Sequence, residues 1–159
     1  MKRGKIVLGA VYLPMLDRFY QAVESEDGAY LNGHPIRVSK TEDLREVVLG
    51  TDWGWDLGKR QNVIDWLDKV KDKIRQVQSL GSAASDLAAL AAGESDVYFH
   101  SGLKPWDVAA SGFIIQKAGG KVTDIDGSGW SPFKSEILAT NGKLHTRILS
   151  LLGSNLKVI

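Results

Sequence analysis

One continuous stretch carries most of the information about this chain: Lys104-Pro-Trp-Asp-Val-Ala-Ala110, then Phe113-Ile-Ile115 and Ala118-Gly-Gly-Lys-Val-Thr-Asp124. It predicts a helix over residues 108–117 that stops at the Gly-Gly pair and leads into a short strand. Asp107 stands directly before the apolar-periodic segment, where Asp is a candidate N-cap. A carboxylate there is also a hard oxygen ligand suited to Mg²⁺. Both roles stay open, and they are compatible because a carboxylate has two oxygens.

Length and composition are those of an ordinary globular protein. The chain has 159 residues, 43% hydrophobic and 25% charged, so it can bury a substantial core. Its formal net charge is +1 and no block of like charge occurs, so it lacks the basic patch expected of a protein that binds nucleic acid or a membrane surface. Cysteine is absent, which excludes disulfides, thiolate metal sites and a cysteine nucleophile.

The basic start and the apolar residues 6–13 faintly resemble a signal peptide. Gly9 interrupts the apolar run and Pro14 ends it, so we interpret the segment as a buried strand. No run approaches the roughly 20 apolar residues that a membrane-spanning helix needs. Together with the absence of cysteine, these features predict a cytoplasmic protein that does not bind membranes.

Periodicity predicts a strand-rich start followed by alternating strands and helices. Strands are expected over residues 5–13, 18–24, 29–31, 35–38, 46–51, 74–79, 96–100, 121–123 and 137–140. Apolar residues spaced by three and four predict helices over residues 62–73, 82–92, 108–117 and 144–152. The polar segment Ser39-Lys-Thr-Glu42 is the candidate boundary between a first unit, residues 1–40, and a second, residues 41–159.

Four motifs follow one another along the chain: Gly28-Ala-Tyr-Leu-Asn-Gly33 with Ile36-Arg-Val-Ser39, then Ser79-Leu-Gly-Ser-Ala-Ala84, Gly93-Glu-Ser-Asp-Val-Tyr-Phe99 and Pro105-Trp-Asp-Val-Ala-Ala110. The first three are weak singly, but in this order and spacing, with the fourth, they are specific. Together they resemble the inositol monophosphatase family of Mg²⁺-dependent, Li⁺-sensitive phosphomonoesterases. The resemblance implies an α/β fold, namely the layered α-β-α C-terminal domain of that family with a mixed sheet between helices. A remnant of the N-terminal antiparallel sheet would precede it.

The resemblance also implies roles for particular residues. Asp107 matches a carboxylate that binds Mg²⁺ close to the substrate. Gly81, Ser82 and Ala83 match a helix start that lines the substrate pocket, where exposed N–H groups suit an oxygen-rich ligand. His100 falls in the substrate pocket where many members have an acidic residue that holds a sugar hydroxyl, and this departure points away from inositol itself as the substrate.

The motifs of the family's front half do not occur in this sequence. They are a Glu pair and an Asp-Pro-(Ile/Leu)-Asp-Gly-(Thr/Ser) loop, which supply most of the metal ligands. The resemblance therefore implies a truncated member whose family activity, Mg²⁺-dependent hydrolysis of a small phosphate monoester, is weak or absent in this chain. The alternative is a non-catalytic fragment or association domain that needs a front-half partner or forms a homo-oligomer, because missing strands would leave an open sheet edge.

Three further features have competing interpretations. Thr123-Asp-Ile-Asp-Gly-Ser128 also resembles the nucleophile loop of haloacid-dehalogenase-type phosphatases, but too few residues follow it for that fold. His34 and His145 are predicted to be solvated. Trp53 and Trp55 flank a glycine after a strand, where they could form a pocket wall or a partner surface, although local packing is favoured.

Overall fold

The computed structural model describes residues 4–153, in which two β-sheets and four α-helices form alternating layers. The strands are β1 (Leu8–Leu13), β2 (Arg18–Val23), β3 (Ala29–Leu31), β4 (His34–Ile36), β5 (Val48–Gly50), β6 (Gln76–Gln78), β7 (Val97–Ser101), β8 (Lys121–Thr123) and β9 (Glu136–Thr140). The helices are α1 (Leu57–Val70), α2 (Ala83–Ala91), α3 (Pro105–Lys117) and α4 (His145–Leu152). Single 3₁₀ turns lie at Pro14–Leu16 and Leu44–Glu46.

The first sheet is an antiparallel meander with the order β1-β2-β3-β4. Its tightest turn joins β3 to β4 through Asn32 and Gly33, whose φ angles are 48° and 80°. Asn and Gly are the residues that tolerate this left-handed backbone, so the Asn-Gly dipeptide sets the hairpin. The second sheet has the order β6-β5-β7-β9-β8, with β6, β5 and β7 parallel and β9 antiparallel to its neighbours.

Helices α2 and α3 lie between the two sheets and share one hydrophobic core with both. Tyr20 from the first sheet, Leu87 from α2 and Ile114 from α3 are fully buried in that core. The contact between α3 and β1 is close, because a Cβ added at Gly9 would lie 2.7 Å from the carbonyl oxygen of Ala110. Helices α1 and α4 cover the opposite face of the second sheet around a separate core. The predicted fold class, a mixed sheet between helices preceded by an antiparallel sheet, is confirmed.

Buried polar side chains connect the segment after β4 to the second sheet. The Asp96 carboxylate accepts hydrogen bonds from the Ser39 hydroxyl and from the backbone N–H of Val48. Asn141 donates to the Ser39 hydroxyl at 2.9 Å and to the carbonyl of Thr41 at 2.8 Å. A hydrogen bond between Ser39 and Asp96 therefore links two of the sequence motifs, the first and the third. The division into units at residue 40 stays a prediction.

Several predicted boundaries are wrong: two helices begin earlier than predicted, and two strands are shorter. Helix α1 begins at Leu57, since the Asp56 carboxylate accepts a hydrogen bond from the Lys59 N–H at 3.1 Å, and it ends at Val70. Helix α3 begins at Pro105, which needs no N–H partner in a first turn. Strand β6 is limited to three residues, 76–78. Strand β5 is also shorter than predicted, because residues 44–46 form a 3₁₀ turn.

The prediction that His145 is solvated is wrong, whereas His34 is exposed as expected. The His145 side chain is 1% exposed and lies between two threonine hydroxyls. Its Nε2 is 3.0 Å from Thr123 Oγ1 and its Nδ1 is 3.0 Å from Thr140 Oγ1. Burial, together with the charge of Lys121, lowers the pKa of His145 from 6.5 to about 4, so the imidazole is neutral in the native protein near neutral pH.

None of the helices within residues 4–153 has the length and apolar character needed to cross a bilayer.

Candidate functional site

A cleft of about 760 Å³ opens at the carboxyl ends of the parallel strands β5 and β7. In open α/β sheets, this edge is where ligands bind. The cleft is lined by the loop from β5 to α1, the starts of α1 and α2, and the segment from β7 into α3. Its lining residues are Asp52, Trp53, Gly54, Trp55, Asp56, Lys59, Gly81, Ser82, Ala83, Ala84, His100, Gly102, Leu103, Lys104, Trp106 and Asp107. All five residues singled out from the sequence, Gly81, Ser82, Ala83, His100 and Asp107, therefore lie around one cavity; their roles stay predictions.

The start of α2 presents backbone N–H groups to the cleft. Ser82 is the N-cap in an extended conformation, and the first intrahelical hydrogen bond runs from the Asp86 N–H to the Ser82 carbonyl at 3.0 Å. The N–H groups of the first helical turn, residues 83–85, consequently have no acceptor within the helix. Gly81 has a φ of 74° and open space where a Cβ would be, so the backbone itself forms this part of the wall. Such a surface favours an anionic oxygen-rich ligand.

Asp107 lies in the first turn of α3, two residues into the helix rather than before it. Its Oδ2 accepts a hydrogen bond from the Lys104 N–H at 2.9 Å, so the carboxylate helps to cap α3 although it is not the N-cap residue. The side chain is partly exposed at the cleft. One oxygen is used by the helix start, and Oδ1 has no hydrogen-bond partner within residues 4–153. The side chain therefore helps to cap the helix with one oxygen, and its role as a ligand stays a prediction.

His100 stands at the floor of the cleft and contacts a carboxylate that sequence reasoning missed. The histidine is 1% exposed, and its Nε2 lies 2.8 Å from Asp52 Oδ1. Asp52 lies two residues after the end of β5, and its position just beyond a predicted strand was the signal in the sequence that could have identified it. The imidazole ring lies parallel to the Tyr98 ring, with an interplanar angle of 6° and centroids 6.4 Å apart. Its Nδ1 is buried without a hydrogen-bond partner among the described residues.

Three carboxylates act on the Tyr98 side chain, which lies beside His100. Burial raises the pKa of Tyr98 well above its usual value, and the charges of Asp52, Asp86 and Asp107 raise it further. Asp86 is itself 1% exposed, and its two oxygens accept from the Leu80 N–H at 3.3 and 3.1 Å. Burial, with a smaller contribution from Asp52, raises the pKa of Asp86 to about 6. A cation bound at the cleft would relieve this repulsion between like charges.

Aromatic and basic side chains form the rim of the cleft. Trp53 is 54% exposed, Trp55 97% and Trp106 78%, so local packing does not account for Trp53 and Trp55. The guanidinium carbon of Arg60 lies 5.9 Å from the centroid of the Trp53 ring, which steadies one of these indoles. Lys59 and Lys104 also line the cleft and add positive charge to its rim.

The acidic loop after β8 is not part of this site. The Asp124 carboxylate accepts from the Ile125 N–H at 2.7 Å and pairs with Lys134 at 3.1 Å. Asp126 accepts from the Ser128 N–H at 2.8 Å, and hydrogen bonds to Ser128 lower its pKa. The two carboxylates therefore stabilise a turn, and neither lines the cleft.

The carboxylate of Asp107 is an oxygen ligand of the kind that suits a hard divalent cation such as Mg²⁺. Within residues 4–153, however, no three histidine or acidic side chains are grouped closely enough to hold a metal ion. Asp107 thus fits as one ligand of a metal site, and the described part of the chain does not contain the complete ligand set.

Comparison with known proteins identifies the class to which this fold and cleft belong. The model of the inositol monophosphatase family matches residues 1–157. A fructose-1,6-bisphosphatase/inositol-1-monophosphatase of Thermotoga maritima is 32% identical over 152 residues, which cover 96% of this chain and 57% of that protein. An inositol monophosphatase of Dictyostelium discoideum is 30% identical, with 93% of this chain and 55% of that protein covered. The chain belongs to the inositol monophosphatase family.

Solved structures agree with this assignment. The extragenic suppressor protein suhB of Bartonella henselae superposes with a TM-score of 0.88 at 32% identity, covering 99% of this chain and 59% of that one. An inositol monophosphatase of Anabaena superposes with a TM-score of 0.85 at 34% identity, covering 92% and 58%. The chain thus spans somewhat more than half the length of the relatives it matches.

Proposed function

We propose that the cleft binds a small phosphate monoester and belongs to a metal-dependent phosphomonoesterase site of which this chain supplies one wall. The observation that carries the proposal is the convergence of Asp107 and the start of α2 on one cavity. A carboxylate that suits a divalent cation and a row of free amide N–H groups that suits phosphate oxygens are complementary halves of a phosphate site.

Each of these groups has a definite task in that site. Oδ1 of Asp107 would hold Mg²⁺, while Oδ2 keeps the carboxylate oriented through the Lys104 N–H. The N–H groups at the start of α2 would donate to phosphate oxygens, and Lys104 would add positive charge at the rim. A bound Mg²⁺ supplies Lewis-acid stabilisation of phosphoryl oxygens. Since the described residues lack a full set of ligands, weak or no turnover is expected from this chain alone.

The test separates binding from turnover with the purified 159-residue protein. Titration calorimetry with inorganic phosphate, with and without Mg²⁺, should show binding that requires Mg²⁺ and is lost in Asp107→Asn. Asp126→Asn, which neutralises a carboxylate outside the cleft, should bind as the unaltered protein does. Absence of phosphate binding to the folded protein would refute the function. Rapid Mg²⁺-dependent phosphate release from phosphomonoesters, lost in Asp107→Asn, would instead refute the expectation of weak or absent turnover.

A second candidate function, an association domain, is favoured by one uncovered surface. Strand β1 ends the first sheet, and the paired side chains of Tyr12 and Phe19 are 54% and 39% exposed on its outer face beside Leu8 at 59%. Open edges and apolar faces of this kind favour pairing with another chain. We propose that the partner is a front-half chain or a second copy. Light scattering should then show a homo-oligomer, or a heterodimer once a front-half chain is added, and a monomer under both conditions would exclude this role.

A further inference from the structure

A buried carboxylate lies near the start of α2. Asp86 is in the first turn of the helix and is 1% exposed, and it is not among the residues that line the cleft. Within residues 4–153, no lysine, arginine or histidine forms an ion pair with it. Burying a carboxylate without a cation costs free energy, so the hydrogen bonds that Asp86 accepts have to offset that cost.

The partner of those hydrogen bonds is the backbone of the turn that leads into the helix. Both oxygens of Asp86 lie within hydrogen-bond distance of the Leu80 N–H, at 3.3 and 3.1 Å. Leu80 stands two residues before the N-cap Ser82, so the carboxylate reaches back from the helix to the chain that enters it. A charged acceptor makes a stronger hydrogen bond than a neutral one. Asp86 therefore ties the entering turn to the helix that follows.

Apolar packing contributes little to the position of this turn. Residues 79–82 are all exposed, and the Leu80 side chain is 54% exposed. Nothing lies within 4 Å of the point where Gly81 would carry a Cβ. The Gly81 N–H donates to the Ser79 hydroxyl at 3.3 Å, which is a contact within the turn itself. The hydrogen bond from Leu80 to Asp86 thus connects an otherwise exposed turn to the buried side of α2.

Neighbouring strands hold the carboxylate in place. Gly50 of β5 leaves room for it, because a Cβ at that position would lie 3.2 Å from Asp86 Oδ1 and 3.2 Å from Cδ2 of Tyr98. The carboxylate is therefore packed closely against the backbone of β5, near the fully buried ring of Tyr98. A side chain that is fixed by packing offers its acceptor oxygens at one position.

We propose that Asp86 is a positioning residue: its carboxylate holds the turn before α2 so that the free N–H groups of the first helical turn face the cleft. Asp86 does not touch the ligand, since it is buried and lies outside the lining of the cleft. The proposal rests on the proposed function, in which those N–H groups bind phosphate oxygens. Donors that are already oriented need no ordering when the ligand binds, and a turn that is oriented only part of the time lowers the affinity by that fraction.

Two variants that both remove the charge of Asp86 test the proposal by titration calorimetry with inorganic phosphate and Mg²⁺. Asparagine keeps an oxygen that can accept from Leu80, whereas leucine is of similar size and has no acceptor. Hydrogen bonds to charged groups correspond to about a tenfold or larger change in an equilibrium constant. Asp86→Leu should therefore bind phosphate about tenfold or more weakly than the unaltered protein, and Asp86→Asn should keep most of the affinity. Ile148→Val shortens a buried side chain of α4 in the other core, so it controls for lower stability and should bind phosphate as the unaltered protein does.

Hydrogen exchange of the Leu80 amide gives a second readout. This N–H should exchange slowly in the unaltered protein and in Asp86→Asn, although the Leu80 side chain is exposed, and rapidly in Asp86→Leu. Rapid exchange in the unaltered protein would overturn the proposal even if Asp86→Leu did not fold. Equal phosphate affinities in folded Asp86→Leu and Asp86→Asn would also overturn it and would leave the proposed function standing. If the unaltered protein binds no phosphate, the proposed function fails and the proposal fails with it.

Discussion

Replacing His145 should remove part of the protein's sensitivity to mild acid. The native imidazole is buried and has a pKa of about 4, against an ordinary value of 6.5 in an unfolded chain. Between these two values the unfolded state binds a proton that the native state does not, so acid favours unfolding. The part of the free energy of unfolding that depends on the neutral His145 ring is fully present above about pH 6.5 and is lost as the pH falls towards about 4.

The magnitude follows from the width of that window. Each pH unit inside it corresponds to about 1.4 kcal/mol, so lowering the pH from about 7.5 to about 5 should cost the protein about 2 kcal/mol through this one group. The side chain is only 1% exposed, so solvent screening should reduce this figure little. Other groups also titrate in this range, and the variant is compared with the unaltered protein at each pH to isolate the histidine.

Urea unfolding of the unaltered protein and of His145→Gln at both pH values measures the effect. The variant loses a hydrogen bond to Thr123 or Thr140 at every pH, but its deficit should shrink by about 2 kcal/mol at the lower pH. His34→Gln, at an exposed position, should change with pH as the unaltered protein does. If the free energy of unfolding fell equally with pH in His145→Gln and in the unaltered protein, the conclusion that the native imidazole is buried and neutral would be wrong. An NMR titration in which the His145 ring protonates near pH 6.5 would also contradict it.

Two further predictions concern the core of the fold. Asp86→Asn should have the opposite effect to His145→Gln on the pH dependence of stability. Because the native pKa of Asp86 is raised to about 6, protonation of this carboxylate stabilises the native state as the pH falls. The unaltered protein should therefore gain about 1.4 kcal/mol in the free energy of unfolding between about pH 7.5 and about pH 5, and urea unfolding of the variant should lack this gain. An equal pH dependence in both proteins would show that Asp86 is solvated. Gly9→Ala should lower the free energy of unfolding by about 1–3 kcal/mol, because its Cβ would lie 2.7 Å from a backbone oxygen of α3. Gly129→Ala, with nothing within 4 Å, is the matched control, and equal thermal shifts in the two would contradict the close packing of β1 on α3.

Much of the architecture could be predicted from residues close together in the chain. The four motifs, in their order, indicated the family and the fold class. Apolar spacing indicated each helix, and the turn at Asn32-Gly33 follows the local backbone preference of this dipeptide. These features depend on local backbone preferences and on periodicity, which a sequence displays directly. Helix starts were less predictable, since Pro105 and the Asp56 cap lie outside the apolar-periodic segments.

The floor of the cleft could not be predicted in the same way. Asp52 lies in the loop after β5 and His100 lies in β7, so their contact depends on the parallel alignment of these two strands. His145 looks like a surface residue in its helix, yet the threonines of β8 and β9 surround it. The sequence by itself determined the kind of fold and singled out Asp107 and the start of α2 as candidate site residues. Only the tertiary structure decided that Asp52 lies against His100 and that His145 is buried, because strand alignment and helix packing bring together side chains that no local pattern links.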